Sequence, residues 1–345
     1  MALEKTVLND GIVSQLLAQH YGINFLSMEK MDLGSANCYR VYDGDQYYFL
    51  KEFQSSFLEE KIIQEAKLLE FLSAAGIPVA SFYKTIQNSY LINYQGRVIC
   101  LEKYIKGESY GYNDLPDYLL PQVGAMLGKL HFVLKDYTLP ADMAEAWLEA
   151  YSSEKLIAQY DALIDIAKTS PEDPNAAQIV EDLQYKKQLA ARCEEYKKYY
   201  NGITYCATHG DYQGCQLIFE NNEIKAVIDF SSAACLPVTW EIMRSFVQSS
   251  NPSTRKAAVD IPAFCSYVRE YMRFSELKKA DLLAMPYVYL FQLARSKFGY
   301  SQYLNSDSED REQLLQFAFW RTQMCREVEK HAEEIAKELG ALLEN

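Results

Sequence analysis

The stretch ITYCATHGDYQGCQLIFENNEIKAVIDF, residues 203–230, decides how this chain is read. It is compact and β-rich, with a turn at Glu220–Asn222 between two apolar runs. It contains His209-Gly210-Asp211. Gln216 stands five residues after that Asp, and Asp229 eighteen after it. Asp211 precedes one strand and Asp229 ends the next, behind the apolar run AVI, which predicts both carboxylates at one end of a hairpin. Phosphoryl transfer needs little more from a protein. One carboxylate orients the acceptor hydroxyl and takes its proton, and oxygen ligands hold magnesium against the phosphates. An HGD tripeptide alone is a weak signal, and an Asp closing a strand is often only a cap. The features upstream give the pair its weight.

Working towards the N-terminus, residues 5–22 carry apolar side chains at helical spacing and end at Gly22. Met28–Phe53 reads as a β-hairpin around Asp43-Gly44-Asp45. Residues 56–75 are helical again, closed by Gly76 and Pro78, and SYLINY and RVICLEKYI form two strands around Gln95-Gly96. Lys51 lies inside the apolar strand YYFLKEF. Either its ammonium reaches nucleotide phosphates, or it is an exposed lysine on an edge strand. Glu65, near the apolar face of the next helix, is its candidate partner. Gly34-Ser35-Ala36-Asn37 is a turn able to cover phosphates with backbone N–H groups. No phosphate-binding loop of the form G-x-x-x-x-G-K-[ST] occurs.

Downstream of Gly107 the chain turns helical. Helices are expected over 117–134, 141–169 and 175–200, and again from about Trp240 to the end, with breaks near Asn251-Pro252 and Asn305–Asp310. The expected class is α+β: a small antiparallel sheet with one main helix, then a larger, mostly helical part. The division expected is 1–103, with residues 1–27 as a leading helix, and 104–345.

The 345 residues suit two folding units. Hydrophobic residues make up 49% and charged residues 23%, which is ordinary globular composition. The formal charge of −13 argues against a nucleic-acid partner, which needs clustered Lys and Arg. The charge is −3 through residue 103 (9 basic, 12 acidic) and −10 beyond it (25 basic, 35 acidic), which a solvated acidic surface explains. The N-terminus has no basic flank before an apolar core, and no apolar run reaches the ~18 residues of a membrane helix. A cytoplasmic protein with no membrane partner is expected. Eight scattered cysteines without a C-x-x-C pair suit free thiols. Cys206, His209 and Cys215 lack a fourth zinc ligand at recognisable spacing.

Taken in order, these features resemble the aminoglycoside phosphotransferase and choline kinase superfamily, relatives of the protein kinases, from about residue 28 to 250. HGDYQGCQ is similar to the family's catalytic loop, H-G-D-x-x-x-x-N, and VIDF to its metal-binding D-F-D or D-F-G segment. QEAKLLEFLSAAGIPVA and GAMLGKLH resemble the helix carrying the lysine partner and the first long helix of the large lobe. The N-terminal Tyr21-Gly22-Ile23 is similar to homoserine-kinase-like and spore-coat branches.

The resemblance implies a two-lobed kinase fold. Asp211 would be the catalytic base or hydroxyl-positioning residue, Asp229 a magnesium ligand, and Lys51 with Glu65 the holder of the phosphates. Gly34 and Ser35 would cover the phosphates. The Glu102 carbonyl and Tyr104 amide would meet the base of ATP, with GTP equally compatible. Glu241, in a place where the family usually has Asp, would support the loop from beneath, shortly before Arg244. Two positions depart from the pattern: Gln216 replaces the usual metal-binding Asn, keeping an amide oxygen one methylene further out, and Ser231 replaces Asp or Gly.

The implied activity is magnesium-dependent transfer of the ATP γ-phosphoryl group to a hydroxyl of an aminoglycoside, choline, homoserine or sugar-like molecule. The competing class is a kinase-fold structural or nucleotide-binding protein without catalysis, which Gln216 motivates. Trp147, Tyr151, Glu154 and Trp320 are candidates to box a cationic acceptor, or else core and surface residues at helical spacing.

Overall fold

The computed structural model describes residues 4–31, 34, 36–139 and 148–344. The chain forms two compact units. One runs up to Ser109 and also includes Gln216–Ala233; the other comprises Tyr110–Cys215 and the chain from Ala234 onward. The first is built on a small antiparallel sheet and the second is mostly helical, so the expected α+β, two-lobed architecture is the one observed.

In the first unit five strands, β1 (Ser27–Met31), β2 (Asn37–Tyr42), β3 (Tyr47–Glu52), β4 (Ile92–Tyr94) and β5 (Arg97–Lys103), lie in the order β1-β2-β3-β5-β4. Every neighbouring pair is antiparallel. The period of two in the sequence sorts side chains onto two faces. Tyr39, Val41, Tyr48, Leu50, Ile99 and Leu101 join the apolar side of α1 (Asp10–Tyr21) in one cluster. Cys38, Phe53, Val98 and Cys100 pack with Ile62 of α2 (Glu59–Ala74) in another. The leading helix is therefore a second cover of the sheet, beside the single main helix expected. It begins later than its periodicity suggests. Asn9 caps it by accepting from the Ile12 N–H, and Gly22 ends it in the left-handed region at φ 68°. Residues before the cap are not helical, and there Val7 N–H donates to the buried Glu52 carboxylate at 2.9 Å.

A hairpin completes this unit: β7 (Leu217–Glu220) and β8 (Glu223–Val227), closed by Asn221 and Asn222 at φ 53° and 62°. Two successive left-handed residues match the twist of the strands, which is why asparagines sit there. Phe219 exchanges both backbone hydrogen bonds with Glu108, at 2.8 and 2.9 Å, and Val227 N–H donates to the Pro78 carbonyl. These bonds join the hairpin to the sheet unit, although more than a hundred residues separate them in sequence.

The second unit contains α3 (Leu120–Leu134), α4 (Ser153–Lys168), α5 (Ala176–Tyr196), α6 (Val238–Ser249), α7 (Asn251–Lys256), α8 (Ile261–Met272), α9 (Lys279–Ala294), α10 (Tyr300–Asn305) and α11 (Arg311–Gly340). The first part of the helix expected over 141–169 lies outside the described residues. A two-stranded ladder pairs β6 (Tyr205–Thr208) with β9 (Ala234–Pro237). Helix α3 meets α8 through Gly124 and Gly128. A Cβ at Gly128 would stand 2.3 Å from the Tyr271 carbonyl oxygen, so only glycine permits this approach. Among the described residues, no helix is long and apolar enough to cross a membrane.

Candidate active site

Lys51 lies on a central strand, not an edge, and its side chain is only 20% exposed. Alternation places it on the face that carries Cys38 and Cys100, its register partners, and towards α2. A buried ammonium needs a counter-charge, since an unpaired buried ion costs several kcal/mol (roughly 3–5 when a partner is removed). The direct partner is Glu102, whose Oε1 lies 2.8 Å from Nζ. The ion pair expected with Glu65 is not formed. Glu102 reaches Lys51 because both side chains project from the same face of neighbouring strands. Burial lowers the Lys51 pKa, but Glu102 and then Glu65 outweigh it and hold the ammonium above its ordinary value.

Glu65 instead accepts the Phe230 N–H at 3.1 Å. Burial is the main cause that pushes its carboxyl up, to about 7; Lys51 pulls it down, and Glu102 and Asp229 push it up again. Lys51, Glu65, Glu102 and Asp229 thus share one electrostatic neighbourhood within the sheet unit. Glu102 sits opposite Phe49 in the β3–β5 ladder and bridges Phe82 on its other side, and Tyr104 is the first residue past β5. Gly34 adopts φ 62°, a conformation suited to a turn of exposed N–H groups, and Ser35 lies outside the described residues.

Gln216 and Asp229 flank the open end of the β7–β8 hairpin. Leu217 is opposite Val227, and Ile228 N–H donates to the Gln216 carbonyl at 3.0 Å. Asp229 then turns into the left-handed region, at φ 62° and ψ 68°. A non-glycine residue there is strained by about 1–3 kcal/mol unless its surroundings hold it. They do: Glu65 takes the next N–H, and Ser231 Oγ donates to Asp229 Oδ1 at 2.6 Å. A carboxylate and a side-chain amide oxygen at one hairpin end are hard donors of the kind magnesium takes, so these residues fit that ion.

Asp211 lies in the loop that precedes β7, as expected, and belongs to the helical unit, whereas Asp229 belongs to the sheet unit. Asp211 follows β6, and β6 pairs with β9. Its loop rests on Glu241, which is 1% exposed and accepts the N–H groups of His209 (3.0 Å) and Gly210 (2.5 Å). His131 Nε2 lies 2.8 Å from the same carboxylate, and His131 Nδ1 lies 2.9 Å from Tyr271 Oη. Burial pushes the Glu241 carboxyl up, yet His131, His209 and the His209 N–H outweigh it and leave it below its ordinary value. Glu241 therefore supports the loop from beneath, and does so as an anion.

Arg244, three residues on along α6, forms an ion pair from Nη2 to Asp211 Oδ1. This contact was missed in the sequence. The W-E-x-x-R spacing was the available signal, because it puts Glu241 and Arg244 on one helical face. The cation box is not assembled. Tyr151 is buried against Phe291, with ring centroids 4.4 Å apart; Glu154 is exposed; and Trp320 packs with Tyr112 and Phe317. Trp147 lies outside the described residues.

The chain resembles solved structures along nearly its whole length. A spectinomycin phosphotransferase in complex with ADP and spectinomycin is 15% identical, with 96% of this chain and 98% of that one covered and a TM-score of 0.64. An amicoumacin kinase in complex with AMP-PNP and calcium is 16% identical, with 95% and 94% covered and a TM-score of 0.61. A Plasmodium vivax ethanolamine kinase is 12% identical, with 94% and 89% covered and a TM-score of 0.58. At these identities the likeness shows the fold. No curated protein sequence matches the chain. The model of the phosphotransferase enzyme family matches residues 30–274, and the chain belongs to that family.

Proposed function

We propose that this protein transfers the terminal phosphoryl group of ATP to a hydroxyl of a small molecule, with magnesium. The observation that carries the reading is Asp229. It is a carboxylate held in a strained backbone conformation, following Ile228, whose N–H bonds to the Gln216 carbonyl, and near Glu65, which Lys51 and Glu102 also influence. Strain maintained this way is characteristic of functional positions. In this reading Lys51 meets the phosphates, kept charged by Glu102 and Glu65. Gln216 and Asp229 would hold the magnesium, which would neutralise charge on the phosphates. Asp211 orients the acceptor hydroxyl and takes its proton. Arg244 is ion-paired with Asp211 at Oδ1 and would hold that carboxylate in place for the hydroxyl. The turn at Gly34 and Ser35 covers the phosphates, and Glu102 and Tyr104 border the base. Residues 1–103 serve the nucleotide, joined by the 216–233 hairpin, and the remainder of 104–345 serves the acceptor. The relatives named above, bound to ADP or AMP-PNP, support an adenine nucleotide as donor.

The test is magnesium-dependent transfer, followed by ADP release and by phosphorus NMR of the product. Asp211→Asn should lower turnover by about 10²–10⁴-fold while ATP still binds. Undiminished transfer in that variant would remove Asp211 from the chemistry. A wild type that neither binds nor hydrolyses ATP at millimolar magnesium would favour a purely structural role.

A further inference from the structure

Beside Asp211, within the helical unit, lies a group of donors that the transfer chemistry leaves unused. Arg244 spends Nη2 on Asp211, but its Nη1 is buried without a hydrogen-bond partner. The Tyr112 hydroxyl is likewise buried and unpartnered. Arg321, on α11, has no carboxylate at ion-pair distance among the described residues. Its guanidinium lies 5.3 Å from the centre of the Phe317 ring.

These groups share one location. The Tyr112 ring lies 5.8 Å from Phe317 and 5.4 Å from Trp320, and those two rings stack on each other. Trp320 is anchored by its indole N–H, which donates to the Ser253 carbonyl at 2.8 Å. The charges of Arg244 and Arg321 both act on the Tyr112 hydroxyl. Burial, and to a lesser extent Arg244, pull the Arg321 guanidinium below its ordinary value, whereas Tyr289 and Cys325 act the other way. Of these two guanidinium groups, close enough to oppose one another, Arg244 has a carboxylate partner in Asp211, and Arg321 has none among the described residues. Buried donors are normally satisfied, and unpaired ones mark a strained reservoir or a ligand site. An oxyanion answers all of them at once: it accepts from Arg244 Nη1 and Tyr112 Oη, and it relieves the repulsion between the arginines.

We infer that the hydroxyl acceptor of this protein carries an anionic group, a carboxylate or a phosphate, held by Arg321, Arg244 Nη1 and the Tyr112 hydroxyl beside Asp211. This rests on the kinase reading and narrows it: an amino alcohol or aminoglycoside would bring positive charge to a site already cationic. The aromatic walls suit the apolar carbons between hydroxyl and anion.

Calorimetric binding and phosphoryl transfer should be measured with four probes of one size class: glycerate, glycerol 3-phosphate, glycerol and choline. Glycerate or glycerol 3-phosphate should bind and react in preference to the other two, and comparison of that pair separates carboxylate from phosphate. Arg321→Met should weaken the preferred anion at least tenfold, in Kd and in KM, with kcat nearly kept. Arg321→Lys should recover part of the loss, and a melting curve should show both variants folded. Preference for glycerol or choline, indifferent to Arg321→Met, would overturn the inference and leave kinase activity standing. Anion binding that depends on Arg321, with no transfer to any probe, would support the anion site and count against the kinase reading. Failure of both anions to bind better than glycerol would also overturn the inference.

Discussion

Glu65 shows how one side chain connects Lys51 with the turn at Asp229 in the sheet unit. It lies in the field of Lys51 and holds the Phe230 N–H that follows Asp229. Its carboxyl is pushed up to about 7, chiefly by burial, from an ordinary 4.5. Between those values the folded state binds more protons than the unfolded chain, so stability falls as pH rises from about 4.5 to about 7. Glu65→Gln removes this dependence and keeps an acceptor for Phe230. Its stability relative to the wild type should therefore climb across that window, by up to roughly 3 kcal/mol. Urea unfolding at pH 5 and pH 7.5 reads this directly; an unchanged difference would mean that Glu65 titrates normally. Gln216 makes a second prediction at this scale. Gln216→Asn should stay active because it keeps the amide oxygen. Gln216→Leu should be severely impaired, and full activity of the Leu variant at saturating magnesium would exclude a metal role. The pairing of Lys51 with a carboxylate was foreseeable from a lysine in an apolar strand. Which carboxylate was not, since Glu102 lies fifty-one residues away on the neighbouring strand, and only strand order brings it across.

At the scale of elements, the β7–β8 hairpin was the clearest feature of the sequence, because Asn221-Asn222 between apolar runs leaves few alternatives. Its attachment was hidden. The backbone bonds to Glu108 and Pro78 carry no side-chain signature. The same limit applies to α3 and α8. Gly124 and Gly128 read as weak points in a helix, yet they are the contact surface itself. Gly128→Ala would drive a methyl group into the Tyr271 backbone. We expect a loss of about 2–3 kcal/mol in urea unfolding, within the range for overpacked interiors. Tyr271 also contacts His131, which sits on Glu241 beneath the Asp211 loop. Turnover should therefore fall along with stability. A variant as stable as the wild type would mean that the helices can separate at no cost.

For the whole molecule, the proposal divides binding from turnover. The residues assigned to nucleotide and metal, Lys51, Glu65, Glu102, Gln216 and Asp229, belong to the sheet unit, while Asp211 with Glu241 and Arg244 belongs to the helical unit. Mg-ATP at about a hundred times its Kd should stabilise the protein by about 2.7 kcal/mol. Asp211→Asn should keep most of that thermal shift. Asp229→Ala should lose most of it, although both variants lose activity. Equal shifts in the two variants would contradict the division.

The sequence by itself determined the class of fold, the hairpin, the HGD loop and the spacing to Asp229, because these rest on local periodicity, turn chemistry and short-range order. Tertiary structure decided who pairs with whom. It put Glu102 rather than Glu65 on Lys51, α1 on the second face of the sheet, and Arg244 on Asp211. It also gathered Tyr112 and Arg321, more than two hundred residues apart, around the Phe317 ring. The physical reason is common to all of these: an ion pair or a buried donor depends on distance in space, and distant segments meet only when the core has formed.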